Sequence, residues 1–512
     1  MNKKIIFIIL FLQIVYGQSQ HISDFTSVVP TVQTDQFIVP ISHHFQKIIE
    51  AGDALTAGGQ MPVRPDFTAY VPILNSAING YLSINSENFP GAVTILDINF
   101  NATTSLWEKT LSKAVDFVPF SGTIANCSGT VTPWNTVISC EEFTTTDDGN
   151  LDGYNDFGWN IEIDPATKTV LAKHWAMGNF VHENVVIHSN ERTVYQGADS
   201  NPGYLYKFVA TTAQDLSSGL LYVYKGSKNG SGNWILLQNT SKAERNTTIT
   251  QSENADATIF EGIEDVEIGP NGMVYLAVKN EGQVYRLQDS NPITGTTATM
   301  ETYVGNASYD ITHTAGTTTV PWGNGNDNLA FDNNGNLWVL QDGGDNYIWV
   351  VENGHTQASP KVRIFAISPS GSEPTGITFT PDYKYLFLSI QHPSSANNAN
   401  QSDIEGNTLS FSKGISLVIA LQENLGTLSI DDFNEAENDI AIFPNPVTYT
   451  NEIFIKSKKP IENVKLYSIQ GRLLLEKNYN GLSETYVNLE NVTSGMYILL
   501  VNNTKSVKLI IE

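Results

Sequence analysis

From about residue 35 to 425 the chain alternates short apolar runs with turns rich in Asn and Gly. The runs Val93–Ile98, Thr136–Ser139, Trp159–Ile163, Thr193–Gln196, Tyr204–Val209 and Leu220–Tyr224 carry many β-branched and aromatic residues, which pack well on a pleated surface. Asp265–Ile268, Val274–Val278, Gln283–Leu287, Leu337–Leu340, Tyr347–Val351 and Tyr385–Ile390 continue the pattern. Runs this short suit strands and not helices. The clearest helix candidate is a short one near Ser42–Ala51. Three phrases share one plan: DVEIGPNGMVYLAV at 265–278, DNLAFDNNGNLWVL at 327–340 and TGITFTPDYKYLFLS at 375–389. Each reads strand, tight turn, strand, as the hairpins of a propeller do. Spread over six blades, this region allows roughly 65 residues per blade, above the ~40–50 of compact repeats, so some loops must be long. Long loops are where a site is expected. The fold class predicted is all-β: a six-bladed β-propeller with a small C-terminal β-sandwich.

The two ends read differently. Residues 1–17, MNKKIIFIILFLQIVYG, have a basic start, an apolar run and a small-residue cleavage site, the pattern of a signal peptide. Leu425–Asp439 is acidic and poor in large apolar residues past Ile430, which predicts a linker. From Ile440 to Glu512 Lys becomes frequent and short alternating strands dominate. The expected organisation is signal peptide 1–17, propeller 35–425, linker 426–439 and terminal domain 440–512. The pieces Ile442–Pro446, Val464–Arg472 and Ser494–Leu499 of that last segment resemble the C-terminal sorting domain of the type IX secretion system of Bacteroidetes. The resemblance implies export through the periplasm to the cell surface or medium, with the type IX machinery as partner.

Composition narrows the function. With 28 Lys and Arg against 53 Asp and Glu, the formal charge is −25. Such a field repels nucleic acid and anionic lipid. An acidic protein that handles an anionic ester has to place cations between itself and the substrate. Charged residues make up only 16% of the chain, too few for a coiled coil or solvated helical array. No stretch beyond the signal peptide is long and apolar enough to span a membrane, and a monomer is expected.

Acidic residues cluster at strand ends. They are Cys140-Glu141-Glu142, His182-Glu183-Asn184, Glu264-Asp265, Asn326-Asp327-Asn328, Asn85-Ser86-Glu87, and Glu373 with Gln391-His392. Adjacent carboxylates repel one another unless a cation lies beside them. A thiolate suits a transition metal, whereas carboxylates suit Ca²⁺ or Fe³⁺. For Cys140 a disulfide with Cys127 is the competing reading, because the chain has two Cys and an oxidising destination. Taken singly, each cluster also reads as a solvated turn. Taken together, six acidic edges facing one channel point to a multi-metal centre. A further loop, Asp148–Gly153, begins like a calcium loop, but Trp159 stands at its twelfth position, so a surface turn is expected there.

From about Phe37 to Pro393 the chain resembles the PhoX-type alkaline phosphatases. The phrases that carry the likeness are FQKI at 45–48, GTVTPWNTVISCEE at 129–142, GWNIEIDP at 158–165, FVHE at 180–183, GYLYKFV at 203–209, DNLAFD at 327–332 and the segment 373–393. The resemblance implies a six-bladed propeller that hydrolyses small-molecule phosphate monoesters at a centre of Fe³⁺ and Ca²⁺ in its channel. It implies metal ligation by Cys140, Glu141, Glu264, Asp327, Glu373, Glu183 and Glu87, with Asn85, His182, Asn328 and His392 beside the metals or the substrate. Two departures stand out. The family's Arg-Pro-Glu reads Gly262-Ile263-Glu264, and its Asn-His-Glu reads Asn85-Ser86-Glu87. The Arg that would grip phosphate is missing, and Lys207, Lys279 or Arg286 could take its place. Two other readings stay open: a non-catalytic calcium-binding propeller for binding or display, and a propeller hydrolase of another class, such as a lactonase.

Overall fold

A computed structural model describes residues 21–426, 440–448, 451–469, 471–502 and 505–511. The expected signal peptide, and the expected linker beyond Gly426, lie outside the described residues. The chain forms two compact units divided after Gly426. Among the described residues no helix is long and apolar enough to cross a membrane.

The first unit is a six-bladed β-propeller. Blade 1 is built from Pro65–Pro72, Asn79–Ser86, Ala92–Asn101 and Leu106–Ala114, each strand antiparallel to the next. Blade 2 follows with Asn126–Val131, Val137–Glu141, Asn160–Asp164 and Thr169–Lys173. Blade 3 is His182–Ile187, Thr193–Ala198, Leu205–Thr212 and Asp215–Gly226. Blade 4 is Ile263–Ile268, Val274–Val278, Gln283–Asp289 and Thr297–Gly305. The strand Gly230–Leu236 bridges the outer edges of blades 3 and 4, joining them into one nine-stranded sheet. Blade 5 is Asn326–Phe331, Leu337–Gln341, Tyr347–Val351 and Val362–Ile367. The first strands of successive blades touch in sequence, and the first strand of blade 6 returns to that of blade 1, so the ring is closed. The three repeated phrases are the innermost hairpins of blades 4, 5 and 6.

Blade 6 combines Glu373–Phe379, Tyr385–Gln391 and Ile415–Leu421 with an outer strand from the other end of the unit, His43–Glu50. This strand stands where a helix is predicted at 42–51. Phe45, Ile48 and Ile49 have the spacing of a helix face. The structure accounts for it with a register break between Lys47 and Ile49, which lets both isoleucines turn inward from a strand. Two short helices that the pattern did not predict, Lys242–Arg245 and Thr248–Asn254, lie between blades 3 and 4; the first opens on a capping box of Ser241 and Glu244.

Apolar layers between blades hold the wheel together. Trp338, Phe365, Leu388 and Leu417 fill one such layer, and Tyr275, Trp322 and Trp349 another. Inner strands are buried on both faces, as in Tyr385–Gln391, which explains their near-continuous apolar sequence. The second unit is a five-stranded antiparallel sheet from Ile440–Phe443, Glu452–Ser468, Leu473–Asn488, Gly495–Val501 and Lys505–Ile511. Its core includes Ile453, Ile455, Val464, Leu466, Leu499 and Leu509.

Closure of blade 6 by the early strand makes Ile49 a test of the ring. Its side chain is fully buried with Leu82, Leu96 and Phe387. Ile49→Ala is expected to lower the unfolding free energy by about 2–4 kcal/mol in urea titration. A change under about 0.5 kcal/mol, the range of surface substitutions, would contradict that closure.

Candidate metal centre

The blades repeat one local geometry at one end of the channel. In every blade the first residue of the innermost strand faces the last residue of the second: Pro65 and Ser86, Asn126 and Glu141, His182 and Ala198, Ile263 and Val278, Asn326 and Gln341, Glu373 and Gln391. Each innermost hairpin then breaks register, after Pro65, Asn126, His182, Ile263 and Asn326 and, in blade 6, after Thr375. Such bulges re-aim side chains. The second residue of the innermost strand is Asp66, Cys127, Glu183, Glu264 and Asp327 in blades 1 to 5; blade 6 has Pro374 there and supplies Glu373 instead. The residue just past the second strand is Glu87, Glu142, Asp199, Lys279, Asp342 and His392. Two tiers of polar groups thus converge from all six blades.

They enclose a cavity of about 420 Å³ lined by Asp66, Glu87, Glu142, Glu183, Glu264, Asp327, Asp342 and Glu373, with Arg64, Lys279, Gln391 and His392. Eight carboxylates face two permanent cations. Lys279 Nζ lies 3.1 Å from Glu264 and 2.8 Å from Asp342, while Arg64 is 3.8 Å from Glu87. Among the described residues three groups bring ligand atoms within 4.8 Å of one another: Cys127, Glu142 and Glu183; Glu183, Glu264 and Asp327; and Asp342, Glu373 and His392. Glu183 Oε2 is buried without a hydrogen-bond partner among the described residues. An orphaned buried carboxylate oxygen between two donor groups fits a cation there, since such an atom otherwise bears its full desolvation penalty.

A hydrogen-bonded polar floor adjoins the cavity. Asn184 donates to Asp265, which also accepts from Leu329 N at 2.7 Å. Asn328 Oδ1 accepts from Thr375 Oγ1 at 2.9 Å and from Gly376 N. Asp66 is held by Thr375 and by Gln391 Nε2, the latter at 2.9 Å. Gly376 has φ +59°, and a Cβ on it would press on the backbone of Phe67 and Thr68, so blades 1 and 6 meet here only through glycine.

The structure divides the residues named from sequence. Glu87, Glu183, Glu264, Asp327, Glu373 and His392 line the cavity, and His392 Nε2 is 3.1 Å from Glu373. Asn328 belongs to the floor, and Asn85 donates to the backbone of Cys127 and Ser128 at 2.7 and 3.0 Å. His182 is fully buried outside the cavity, against Asn160 and the Gly178 carbonyl. Cys140 and Glu141 stand outside the cavity lining. Cys140 Sγ is buried against Asn160 Oδ1 at 3.1 Å. Glu141 takes the last register position of its strand and does not line the cavity. It pairs with Lys173 at 3.2 Å and accepts from Thr123, Gly158 and Trp159. Their places in the donor groups are taken by Cys127 and Glu142. Both cysteines are free thiols, so the disulfide reading is also set aside. Sequence reading missed Arg64, Asp66, Asp199 and Asp342; superposing the six innermost strands by their first residue would have found Asp66, along with Cys127, and superposing the second strands by their last residue would have found Asp199 and Asp342. The Asp148–Gly153 loop is a surface turn whose Asp148 carboxylate accepts from the N–H groups of Asp152 and Gly153.

The family described as alkaline phosphatase PhoX matches residues 101–394, more than half of the sequence. The chain belongs to the PhoX family of alkaline phosphatases. The family described as secretion system C-terminal sorting domain matches residues 441–512, so this PhoX-family protein is one destined for secretion or the cell surface by the type IX machinery. Among solved structures the chain is similar to Pseudomonas fluorescens PhoX in complex with vanadate, a transition-state analogue, at 21% identity and TM-score 0.63, over 79% of this chain and 99% of that one. At that identity the likeness supports the fold. Weaker likenesses are to the type IX secretion component PorZ of Porphyromonas gingivalis (11% identity, TM-score 0.33, 87% and 58% covered) and virginiamycin B lyase of Staphylococcus aureus (10%, 0.36, 74% and 99%). No curated protein matches the chain.

Without bound cations the cluster suppresses its own ionisation. Burial, then the nearby Glu87, pushes Asp66 up to about 7, and burial, then Asp199, pushes Glu264 up to about 8. Burial first, then neighbouring carboxylates, raises Glu142, Glu183, Asp327 and Glu373 well above the usual range. Lys279 is raised as well, but against its burial: burial alone would lower it, and Glu264, Asp327 and Asp342 reverse that and keep it protonated. The folded metal-free protein therefore holds protons that the unfolded chain has released above about pH 4. Stability from these groups is full below that pH and is lost as pH rises through about 7 to 8. The melting temperature of metal-stripped protein is expected to fall between pH 6 and pH 9, and saturating Ca²⁺ to flatten that slope. A metal-free melting temperature constant across the range would contradict the buried cluster.

Proposed function

We propose that the protein is an exported phosphatase that hydrolyses phosphate monoesters at an iron and calcium centre inside the propeller channel. The observation that carries this reading is the pair of acidic tiers converging from all six blades on one cavity. Cys127, Glu142 and Glu183 would hold a transition metal, because a thiolate is a soft donor that Ca²⁺ does not favour. Without a cation the Cys127 thiol is pushed well up by burial and then by Glu183, so it would bind as thiolate only with a metal present. The all-carboxylate group Glu183, Glu264 and Asp327 suits Ca²⁺ or Fe³⁺, and Glu183 would be shared between two ions. Asp342, Glu373 and His392 form the third group at the mouth, with Asp66 and Glu87 alongside.

Bound there, the ions would supply Lewis acidity toward the phosphate oxygens and toward the attacking water. The chain's own residues define the place. Asn184, Asp265 and Asn328 line a separate cavity, and through Thr375 the Asn328 side-chain carbonyl is linked to Asp66 of the site. The opening lies on the side of Arg64 and His392, both exposed, and a monoester would enter with its phosphate foremost.

Phosphate release from a chromogenic monoester is expected, and a strong chelator is expected to abolish it; turnover that survives exhaustive metal removal would contradict the reading. The ligand assignment has its own test. Cys127→Ser should lose iron by elemental analysis, whereas Cys140→Ser should keep it, because Cys140 only faces Asn160. Iron lost from Cys140→Ser and kept by Cys127→Ser would overturn it.

A further inference from the structure

The outer tier of the site contains one anomaly. The residue just past the second strand is Glu87, Glu142, Asp199, Asp342 or His392 in five blades, and in blade 4 it is Lys279. Five blades place there a group that can ligate a cation; one places a cation. The geometry points to Lys279 as the residue that grips the substrate's phosphate oxygens, an inference that rests on the hydrolase reading above.

Blade 4 leaves this role to position 279 alone. Gly262 immediately precedes the innermost strand and accepts a backbone hydrogen bond from Lys279 N at 2.9 Å. A side chain at 262 is strained by the backbone and crowds the end of a neighbouring side chain. The backbone has φ +81°, a conformation L-residues rarely adopt, and a Cβ would stand 2.6 Å from Asp199 Oδ1. The same Cβ would be 3.7 Å from Lys279 Cβ, so the lysine stem leaves the backbone beside the place that a basic residue at 262 would have used. The other basic residues considered from sequence are committed elsewhere. Lys207 is fully buried and bonded to Asp289 at 2.7 Å and to the carbonyls of Asn291 and Gly295. Arg286 pairs with Glu301 at 2.6 Å, far along its strand from the cavity end. Arg64 lines the mouth, but its side chain is half exposed and its ion pair with Glu87 is long, so its charge is screened by solvent.

The partners of Lys279 are themselves donors for metal. Its ammonium touches Glu264 and Asp342, each of which belongs to a group able to hold an ion. A cation bound to those carboxylates competes for the oxygens that the lysine now contacts. The ammonium has three N–H donors and a flexible stem, so once displaced it can turn to an anion entering the cavity. With 29% of its side chain exposed it can be reached from solvent. Against a protein of formal charge −25, this is where an anion meets a positive group inside the cavity.

The test is calorimetric titration of the metal-loaded full chain with inorganic phosphate. Lys279→Met is expected to weaken phosphate binding about tenfold or more, the loss of a charge-assisted hydrogen bond, with bound metal unchanged by elemental analysis. Lys279→Arg should restore most of the affinity, and Arg286→Ala should leave it as in the wild type. If Lys279 serves only to neutralise Glu264 and Asp342, Lys279→Met will lower the melting temperature and leave phosphate affinity within twofold of wild type, which overturns the assignment. A second measurement needs no variant. Phosphate should protect Lys279 of the wild-type holoprotein from an amine-acylating reagent, read by mass spectrometry; labelling unaffected by saturating phosphate would also overturn it. Wild-type protein that hydrolyses monoesters while failing these tests removes Lys279 and leaves the hydrolase reading standing. Wild-type protein that neither binds phosphate nor hydrolyses monoesters removes both.

Discussion

Carboxylate groups crowded into a cavity of about 420 Å³ set the terms for the rest of the molecule. Two like charges 4 Å apart repel by about 4 kcal/mol at an effective dielectric of ~20, and burial adds a desolvation penalty for each. Lys279 and Arg64 cannot balance eight acids. The metal-free molecule keeps protons on Asp66 and Glu264 near neutral pH, which lowers the charge but sacrifices the ionised form a metal needs. The arrangement makes physical sense as a receptacle for cations. The stiff apolar layers between blades supply the framework that holds like charges together.

The propeller is well suited to this task because its symmetry is local. Each innermost hairpin starts in the same register and then bulges, so one geometric device, used six times, delivers twelve positions to one end of the channel. Chemistry is then set by what stands at those positions. Cys127 among acids in the inner tier brings a soft donor, and Lys279 among acids in the outer tier brings a positive charge. The sorting unit after Gly426 is built as a separate compact sheet with its own core.

Much of this was legible in the sequence. The strand runs and the three hairpin phrases mark the blades because inner strands are buried on both faces and turns need Gly, Asn or Pro. Glu183, Glu264, Asp327 and Glu373 stand out in the sequence because each lies within the first two residues of a strand. What the sequence leaves open is register. Glu141 and Glu142 are neighbours, and the first pairs with Lys173 while the second lines the cavity, so one residue of uncertainty exchanges one role for the other. The same uncertainty favoured Cys140 over Cys127, because the Cys-Glu-Glu run draws attention and Asn126-Cys127-Ser128 does not. Asp66, Asp199 and Asp342 stand in unremarkable local sequence and acquire meaning only when the six blades are superposed. The helix expected at 42–51 failed because a bulge gave a strand the apolar spacing of a helix.

The central claim is that cations occupy the channel between the two tiers. It is tested most directly by an anomalous-difference map from crystals of the purified mature protein, recorded on both sides of the iron absorption edge. Several peaks are expected inside the cavity, one of them iron-specific and within about 2.3 Å of Cys127 Sγ, the others within about 2.0–2.6 Å of the oxygens of Glu183, Glu264 and Asp327. A map with no peak in the cavity, from protein never exposed to chelator, would contradict it.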